Sequence, residues 1–309
     1  MKSLHKGDTI GVFGPGSAAN PDQFKKGLLE LESRGFKYKL SHDPTLNYAK
    51  YEQGFSSDTL EKRVKAFEDL LKDEEISVII ASRGGYGSLA ILPSLDQSLL
   101  EKTNKTLIGY SDVTSLLVPL ADKTDLTAIH GATIAKEFAE SEESVEAKES
   151  VDALIALLSG STSLFDCPVT KVLKKGTCQG AIQAGNLTCL MNLLGTPWDV
   201  SFDNSVLFIE DVSEAPYRIH RLFLQLKLSG KLDNLRGLVF GRFANCEADC
   251  GPQMEEVFEM IVEDFLKDFS YPVVCTDSFG HFGKNIPLPI GAKVKLSETN
   301  IELIESPFS

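Results

Sequence analysis

Apolar runs and amphipathic segments alternate along the first part of the chain. Short apolar, often β-branched runs are typical of buried strands, and apolar residues that recur every three or four positions are typical of helices. These patterns predict strands over 8–13, 36–40, 76–81, 107–108 and 126–129, and helices over 22–34, 58–72 and 113–120. Strands that alternate with helices favour a largely parallel sheet with helices on both faces.

The second part of the chain predicts strands over 205–209, 238–243 and 273–274, helices over 190–194, 216–228 and 254–265, and a hairpin within 294–304. Between the two parts, residues 137–149 contain six glutamates, which is typical of a solvated helix face or a linker. We therefore expect an α/β protein with domains over 1–136 and 178–309, joined by a linker region over 137–177. The N-terminal domain should hold an open, mostly parallel sheet with flanking helices. The smaller C-terminal α/β domain should have a β-rich core.

Composition excludes several classes of partner. The 44 acidic and 31 basic residues give a net charge of -13, and no basic stretch is dense enough to bind nucleic acid. The N-terminus has no apolar signal region and no later run could cross a bilayer, so we expect a cytoplasmic protein with no membrane partner. Cys246 and Cys250 lie close together, but their spacing is not that of a zinc site and no histidine is near them. We expect no metal and no cofactor.

A serine follows one of the predicted strands. Ser111 lies between the apolar run 107–108 and the predicted helix 113–120, and Gly109 would allow a sharp turn there. Such a turn exposes a hydroxyl beside the free N–H groups of a helix N-terminus, which suits a nucleophile whose attack creates an oxyanion. A serine in this place is also a common N-cap, and that alternative stays open. The second glycine of the G-x-S-x-G elbow is missing, which disfavours an ordinary α/β-hydrolase.

Two glycine-rich loops follow other predicted strands. The glycines at 11, 14 and 16 have the order G-x-x-G-x-G, which is not the dinucleotide-binding order. The loop Arg83-Gly-Gly-Tyr-Gly87 follows the strand 76–81. Open α/β sheets bind ligands at the carboxyl ends of their strands, so both loops are candidates for a close approach of backbone to ligand. A plain glycine-rich turn remains the alternative.

An acid and a histidine follow apolar runs in the second part. Glu210 comes after 207–209, and His281 comes after the strand 273–274 and a short loop. Serine, histidine and a carboxylate are the three groups that activate a hydrolytic nucleophile. Glu210 could instead pair with Arg218 or Arg221, and His281 could bind backbone.

Several segments resemble the family of LD-carboxypeptidases (muramoyltetrapeptide carboxypeptidases), which also contains the microcin-immunity hydrolases. They come in the family's order and span nearly the whole chain: Gly14-Pro-Gly-Ser17, Arg83-Gly-Gly-Tyr-Gly87, Ile108-Gly-Tyr-Ser-Asp-Val-Thr114, Gly185-Asn-Leu187, Gly195-Thr-Pro197, Phe208-Ile-Glu-Asp-Val212, Pro216-Tyr-Arg218 with Arg221, Gly280-His281 and Leu288-Pro-Ile-Gly291. The resemblance implies an N-terminal domain that supplies the nucleophile and a C-terminal domain that supplies the acid and the histidine. The sequence departs from the family at Ser213, where glycine is frequent, and at Thr188, where serine is frequent.

The resemblance implies that Ser111 is the nucleophile, His281 the base and Glu210 the acid that orients it. The backbone N–H groups of Gly85 and Asp112 are the candidates for binding the oxyanion. Arg83 is the candidate for gripping a carboxylate of the substrate, although it could equally be a structural ion-pair partner.

We therefore expect a serine peptidase that removes a terminal D-amino acid, D-alanine, from cytoplasmic murein tetrapeptides during cell-wall recycling. Its partner would be a small peptide substrate, and we expect a homodimer. Two alternatives remain: a microcin-immunity-type hydrolase of peptidyl or aminoacyl nucleotides, and a non-catalytic ligand-binding relative.

Overall fold

A computed structural model describes residues 3–45, 55–101, 103–247 and 251–308. Residue contacts divide the chain into two compact units. The first comprises Met1–Leu164, Ile286–Ile290 and Ser306–Ser309, and the second comprises Phe165–Asn285 and Gly291–Glu305. We call them the serine unit and the histidine unit, after Ser111 and His281.

The strands, in chain order, are β1 (Thr9–Phe13), β2 (Lys37–Leu40), β3 (Ile76–Ala81), β4 (Thr106–Gly109), β5 (Thr127–His130), β6 (Cys167–Pro168), β7 (Lys171–Lys174), β8 (Cys178–Asn186), β9 (Ser205–Val212), β10 (Gly237–Ala244), β11 (Val273–Cys275), β12 (Leu288–Pro289), β13 (Lys293–Leu296) and β14 (Asn300–Leu303). The α-helices are α1 (Pro21–Ser33), α2 (Leu60–Lys72), α3 (Gln97–Leu100), α4 (Thr114–Lys123), α5 (Val145–Leu158), α6 (Leu187–Met191), α7 (Pro216–Leu228) and α8 (Met254–Ile261). Short helical turns occur at Ser88–Ser94, Ser111–Val113, Ile134–Phe138 and Val262–Leu266.

The serine unit contains a six-stranded sheet in the order β12-β5-β4-β3-β1-β2. β1 to β5 run parallel, and only β12 is antiparallel to its neighbour β5. The strand order reverses between β1 and β3, where α/β sheets open a crevice for ligands at their carboxyl ends. The loop that begins at Gly14 and the loop that begins at Ser82 leave the sheet at this crevice. β4, which leads to Ser111, is the next strand.

The strands of this sheet read as continuous apolar runs because helices cover both faces of a parallel sheet. β3 and β4 are almost fully buried, as are Val12 and Phe13 in β1. Helix α2 buries Val64, Phe67 and Leu71, three apolar residues that recur at helical spacing. The prediction of an α/β fold with a mostly parallel N-terminal sheet is confirmed.

The histidine unit contains an eight-stranded mixed sheet in the order β6-β14-β13-β8-β9-β10-β11-β7. Its four central strands, β8 to β11, are parallel, and the flanking strands are antiparallel. The hairpin predicted within 294–304 is the antiparallel pair of β13 and β14. β8 and β9 stay paired as far as Asn186, the last residue of β8, which lies opposite Glu210.

Residues 137–177, where the sequence suggested a linker region, contain both helix and strand. Helix α5 occupies Val145–Leu158 and buries the apolar side chains of Val151, Leu154 and Leu157, and two of the six glutamates lie near its start. β6 and β7 pair with β14 and β11, and they belong to the histidine unit. The contacts thus change from one unit to the other at Leu164 and Phe165. Among the described residues, no helix has both the length and the apolar character that a membrane crossing requires.

Candidate active site

Ser111 lies at a strained turn between β4 and α4. Its backbone φ is 62°, in the left-handed region that costs a residue with a side chain about 1–3 kcal/mol. Strain of this kind persists where the surrounding structure determines the conformation, and it concentrates at functional sites. The N-cap of α4 is Val113, and no side chain caps that helix, so Ser111 does not have the capping role that the sequence left open.

Two glycines let the chain come close to this serine. A Cβ atom at Gly109 would lie 2.9 Å from Cγ1 of Val113, so the turn after β4 needs glycine there. A Cβ atom at Gly84 would lie 2.7 Å from Cβ and 3.0 Å from Oγ of Ser111. The glycine-rich loop after β3 therefore packs directly against the candidate nucleophile.

Buried polar groups fix the loops around Ser111. The carboxylate of Asp112 accepts hydrogen bonds from N (2.9 Å) and Oγ (2.6 Å) of Ser88, just after the glycine-rich loop. The guanidinium of Arg63, which is 1% exposed, donates to the carbonyl oxygens of Pro15 (2.7 Å) and Gly87 (2.9 Å). Arg63 thus joins the loop after β1 to the loop after β3. Burial raises the pKa of the Asp112 carboxyl, and the hydrogen bonds from Ser88 oppose that rise.

The two candidate oxyanion donors lie in this framework. Gly85 has a φ of 108°, and a Cβ atom there would lie 2.4 Å from Oγ of Ser17, so only glycine fits. The amides of Gly85 and Asp112 donate no hydrogen bond to another described residue. Arg83 is exposed, and its Nη1 donates to the carbonyl oxygen of Ala18 at 3.3 Å.

Glu210 and His281 are in direct contact within the histidine unit. Oε2 of Glu210 lies 2.6 Å from Nδ1 of His281, and the glutamate side chain is fully buried while the histidine side chain is 13% exposed. The alternative partners for Glu210 are engaged elsewhere: Arg218 pairs with Glu214 at 3.5 Å, and Arg221 lies over the ring of Tyr217. Glu210 also lies inside β9, not just past it, because β9 and β10 stay paired as far as Val212.

A tight turn holds His281. Gly280 has a φ of 115° and Phe282 a φ of 55°, so the residues on both sides of the histidine are in left-handed conformations. The amide of Gly280 donates to Oδ1 of Asn285 (3.3 Å), and the amide of Arg242 in β10 donates to the carbonyl oxygen of Phe279 (3.0 Å). The turn is therefore tied to the sheet at one end and closed on itself at the other.

The sequence did not predict a role for Asp211, which lies beside Glu210. Its buried carboxylate accepts hydrogen bonds from Nδ2 of Asn186 (2.9 Å) and from N (3.0 Å) and Oγ1 (2.8 Å) of Thr188. Burial raises the pKa of the Asp211 carboxyl, and the neighbouring Glu210 adds to the rise. These bonds join Asp211 in β9 to the end of β8 and to the start of α6. The hydroxyl of Thr188 thus makes the contact that a serine could make, and Ser213, with a φ of 58°, holds a conformation that suits the glycine frequent there.

The structure describes one of the two cysteines that lie close in sequence. Cys246 is buried, its Sγ lies 3.4 Å from the carbonyl oxygen of Ala244, and burial raises its pKa to about 11. Cys250 lies outside the described residues. Within the described ranges, no group of three or more His, Cys, Asp or Glu side chains could hold a metal ion.

A serine on a strained turn lies in one unit, and a histidine bound to a buried carboxylate lies in the other; these are the residue types that activate a hydrolytic nucleophile. Comparison with known proteins narrows the class to serine carboxypeptidases. Residues 10–131 match the LD-carboxypeptidase N-terminal domain, and residues 179–296 match the LD-carboxypeptidase C-terminal domain. The chain belongs to the LD-carboxypeptidase family.

Individual relatives agree with this assignment. The chain is 30% identical over 296 residues to a probable murein peptide carboxypeptidase of Bacillus subtilis (strain 168), covering 96% of this chain and 91% of the relative. It is 27% identical to the microcin C7 self-immunity protein MccF of Escherichia coli, covering 99% of this chain and 96% of that protein. Among solved structures, a muramoyltetrapeptide carboxypeptidase from Oxalobacter formigenes superposes with a TM-score of 0.77 at 26% identity, covering 96% of this chain and 97% of the other.

Proposed function

We propose that this protein is an LD-carboxypeptidase that releases the terminal D-amino acid, D-alanine, from murein tetrapeptides in cytoplasmic cell-wall recycling. The observation that carries the proposal is the 2.6 Å contact between the imidazole of His281 and the fully buried carboxylate of Glu210. A carboxylate that is withdrawn from water and bound to Nδ1 fixes the tautomer and the orientation of the imidazole, and Nε2 is then the nitrogen that transfers the proton.

In this mechanism, Ser111 is the nucleophile. Nε2 of His281 takes the proton of the Ser111 hydroxyl while Oγ attacks the carbonyl carbon of the last peptide bond. The bond from carbon to nitrogen then breaks, the protonated imidazole gives its proton to the leaving amine, and an ester on Ser111 remains. Water hydrolyses that ester by the same proton transfers in reverse. Glu210 stabilises the imidazolium that forms in both halves of the reaction.

We assign the oxyanion to the amides of Gly85 and Asp112. Both amides are without a described acceptor, and the residue before Gly85 packs against Ser111. Donors aimed at a developing oxyanion are worth about 3 kcal/mol of barrier each, because they need not reorganise during the reaction. Arg83 would bind a carboxylate of the peptide, since its guanidinium is exposed and makes one hydrogen bond, to a backbone carbonyl.

The substrate class rests on the named relatives and on the side chains available. The relatives include a probable murein peptide carboxypeptidase and a murein tetrapeptide carboxypeptidase. An aminoacyl nucleotide, the alternative that MccF suggests, needs an aromatic surface for its base, and such stacking is worth roughly 1–3 kcal/mol. The segment 166–184 contains no aromatic residue, and the single tryptophan, Trp198, is half-buried. The lack of aromatic residues in this segment favours a peptide substrate over an aminoacyl nucleotide.

The test is a side-by-side measurement of kcat/KM on a free murein tetrapeptide and on an aminoacyl sulfamoyl adenylate, with mass spectrometry of the products. We expect D-alanine release from the peptide and little action on the adenylate. Faster cleavage of the adenylate would replace the proposed substrate by the alternative while leaving the roles of Ser111, Glu210 and His281 unchanged. If neither compound were cleaved, the non-catalytic relative would be the better account. The homodimer, the cytoplasmic location and the domain bounds at 136 and 178 stay predictions from the sequence.

A further inference from the structure

A cavity of about 560 Å³ lies in the histidine unit beside the catalytic histidine. His281 and Phe282 line one side of it, and Arg242 and Lys171 are the cations among its lining residues. Pockets that bind small molecules commonly have volumes of this order, about 300–1,000 Å³. The cavity next to His281, the proposed proton-transfer group, is therefore large enough to hold part of a substrate.

The side chain of Arg242 runs along the turn that carries His281. A Cβ atom at Gly283 would lie 2.5 Å from Nε of Arg242 and 2.9 Å from its Nη2, and a Cβ atom at Gly280 would lie 3.1 Å from Cβ of Arg242. Glycine at both positions lets the arginine lie flat against the turn. The guanidinium is thus held against the turn that carries His281.

The two cations that line the cavity differ in their hydrogen-bond partners. Nε of Arg242 donates to the carbonyl oxygen of Asp277 at 3.0 Å, which fixes the plane of the guanidinium, while no described residue accepts a bond from its terminal nitrogens. Lys171 is already paired with Glu259 at 2.9 Å and with Glu255 at 3.6 Å. Arg242 is therefore the cation in this cavity with an unused pair of donors, and a planar fork of donors matches a carboxylate.

Carboxylates also line the cavity, and they would oppose an anionic ligand. They belong to Glu247, Glu255 and Asp277, and all three residues are exposed. Charges that face water are screened strongly, whereas a direct bidentate contact is not. The net effect still favours a carboxylate at Arg242.

We propose that Arg242 binds the terminal carboxylate of the substrate and so makes the enzyme a carboxypeptidase instead of an endopeptidase. This inference rests on the proposed function. His281 must protonate the nitrogen of the departing amino acid, and in a terminal residue a single carbon separates that nitrogen from the carboxylate. A guanidinium held against the His281 turn is therefore in the place where the carboxylate of the leaving group has to be. Arg83, in the serine unit, would bind a different carboxylate of the peptide.

The experiment compares two substrates, the tetrapeptide acid and the same tetrapeptide with a C-terminal carboxamide, on wild type, R242Q, R242K and K171Q. Charge-assisted hydrogen bonds contribute enough to favour the acid over the amide by about tenfold to a hundredfold in kcat/KM in wild type. R242Q should bring this ratio close to one, mainly by raising KM for the acid, because the contact exists before and during the reaction. R242K keeps the charge without the fork, so it should retain part of the preference. K171Q is the matched control and should keep the wild-type ratio.

Three results with the variants would overturn the assignment of Arg242. The first is an unchanged ratio of acid to amide in R242Q. The second is an equal loss of kcat on both substrates in R242Q, which would mean that the arginine acts only by holding the His281 turn. The third is loss of the preference in K171Q. Hydrolysis of both peptides by wild type without any preference would remove this inference alone, whereas hydrolysis of neither would remove the proposed function as well. Thermal unfolding of each variant shows whether it is folded.

Discussion

A single methyl group at Gly84 should impair the nucleophile while leaving the fold in place. In Gly84→Ala, the added Cβ atom would lie 2.7 Å from Cβ and 3.0 Å from Oγ of Ser111, and 3.2 Å from the carbonyl oxygen of Tyr110. Gly84 does not have a positive φ, so alanine meets no backbone penalty and the effect is steric. Either the loop or the serine turn must move by several tenths of an ångström.

Overpacking of this kind costs about 1–3 kcal/mol of stability, and a misplacement of a reacting group by about 1 Å can cost roughly 100-fold in rate. We therefore expect Gly84→Ala to lower kcat on the tetrapeptide by one to two orders of magnitude, with a modest fall in Tm. The matched control is Gly131→Ala in the same unit, where the nearest atom to a new Cβ would be 3.6 Å away, an ordinary contact. Wild-type kcat in Gly84→Ala would refute the reasoning, because the methyl would then not press on the nucleophile.

Two further substitutions test the supporting groups. Glu210→Gln should leave the circular dichroism spectrum unchanged but lower kcat on the order of 10⁴-fold, because the imidazole loses the carboxylate that orients it; a loss below tenfold would count against the pair. Burial raises the pKa of the Asp112 carboxyl above its ordinary 3.8, so the folded protein binds this proton more tightly than the unfolded chain does. The stability that this gives at low pH is lost as the pH rises through the folded pKa. Urea unfolding measures the free energy of unfolding of wild type and of Asp112→Asn. The difference between the two should shift in favour of the variant as the pH rises above 3.8, and a difference that does not change with pH would contradict this linkage.

The central strands and the long amphipathic helices could be predicted because their signals are local. β3 begins and ends where its apolar run does, and α7 occupies the residues that its period predicts. Helix α5 was obscured because four of the six glutamates precede it and the other two lie near its start, while the apolar stripe formed by Val151, Leu154 and Leu157 begins only after the charged segment. β8, with four glycines or alanines among its nine residues, has little of the β-branched character that predicts a strand.

The sequence could predict the part of the candidate site that consists of polar side chains following apolar runs. What the sequence could not supply is pairing across the fold. Arg63 lies on the apolar face of α2, yet it is buried because two backbone carbonyls from distant loops accept its hydrogen bonds. Asp211 was visible only as the neighbour of Glu210, and its partners Asn186 and Thr188 belong to another segment. An arginine on an apolar helix face is the one signal that could have pointed to such a contact.

The central claim is that Ser111, His281 and Glu210 act as one hydrolytic unit, and a double-mutant comparison tests it most directly. The rate of D-alanine release from murein tetrapeptide is measured by mass spectrometry for wild type, Ser111→Ala, His281→Ala and the double variant. Each single substitution should lower kcat by several orders of magnitude, and the double variant should be little worse than either single variant, because neither group works without the other. A single variant that keeps more than about a tenth of the wild-type rate, or losses that multiply in the double variant, would contradict the account.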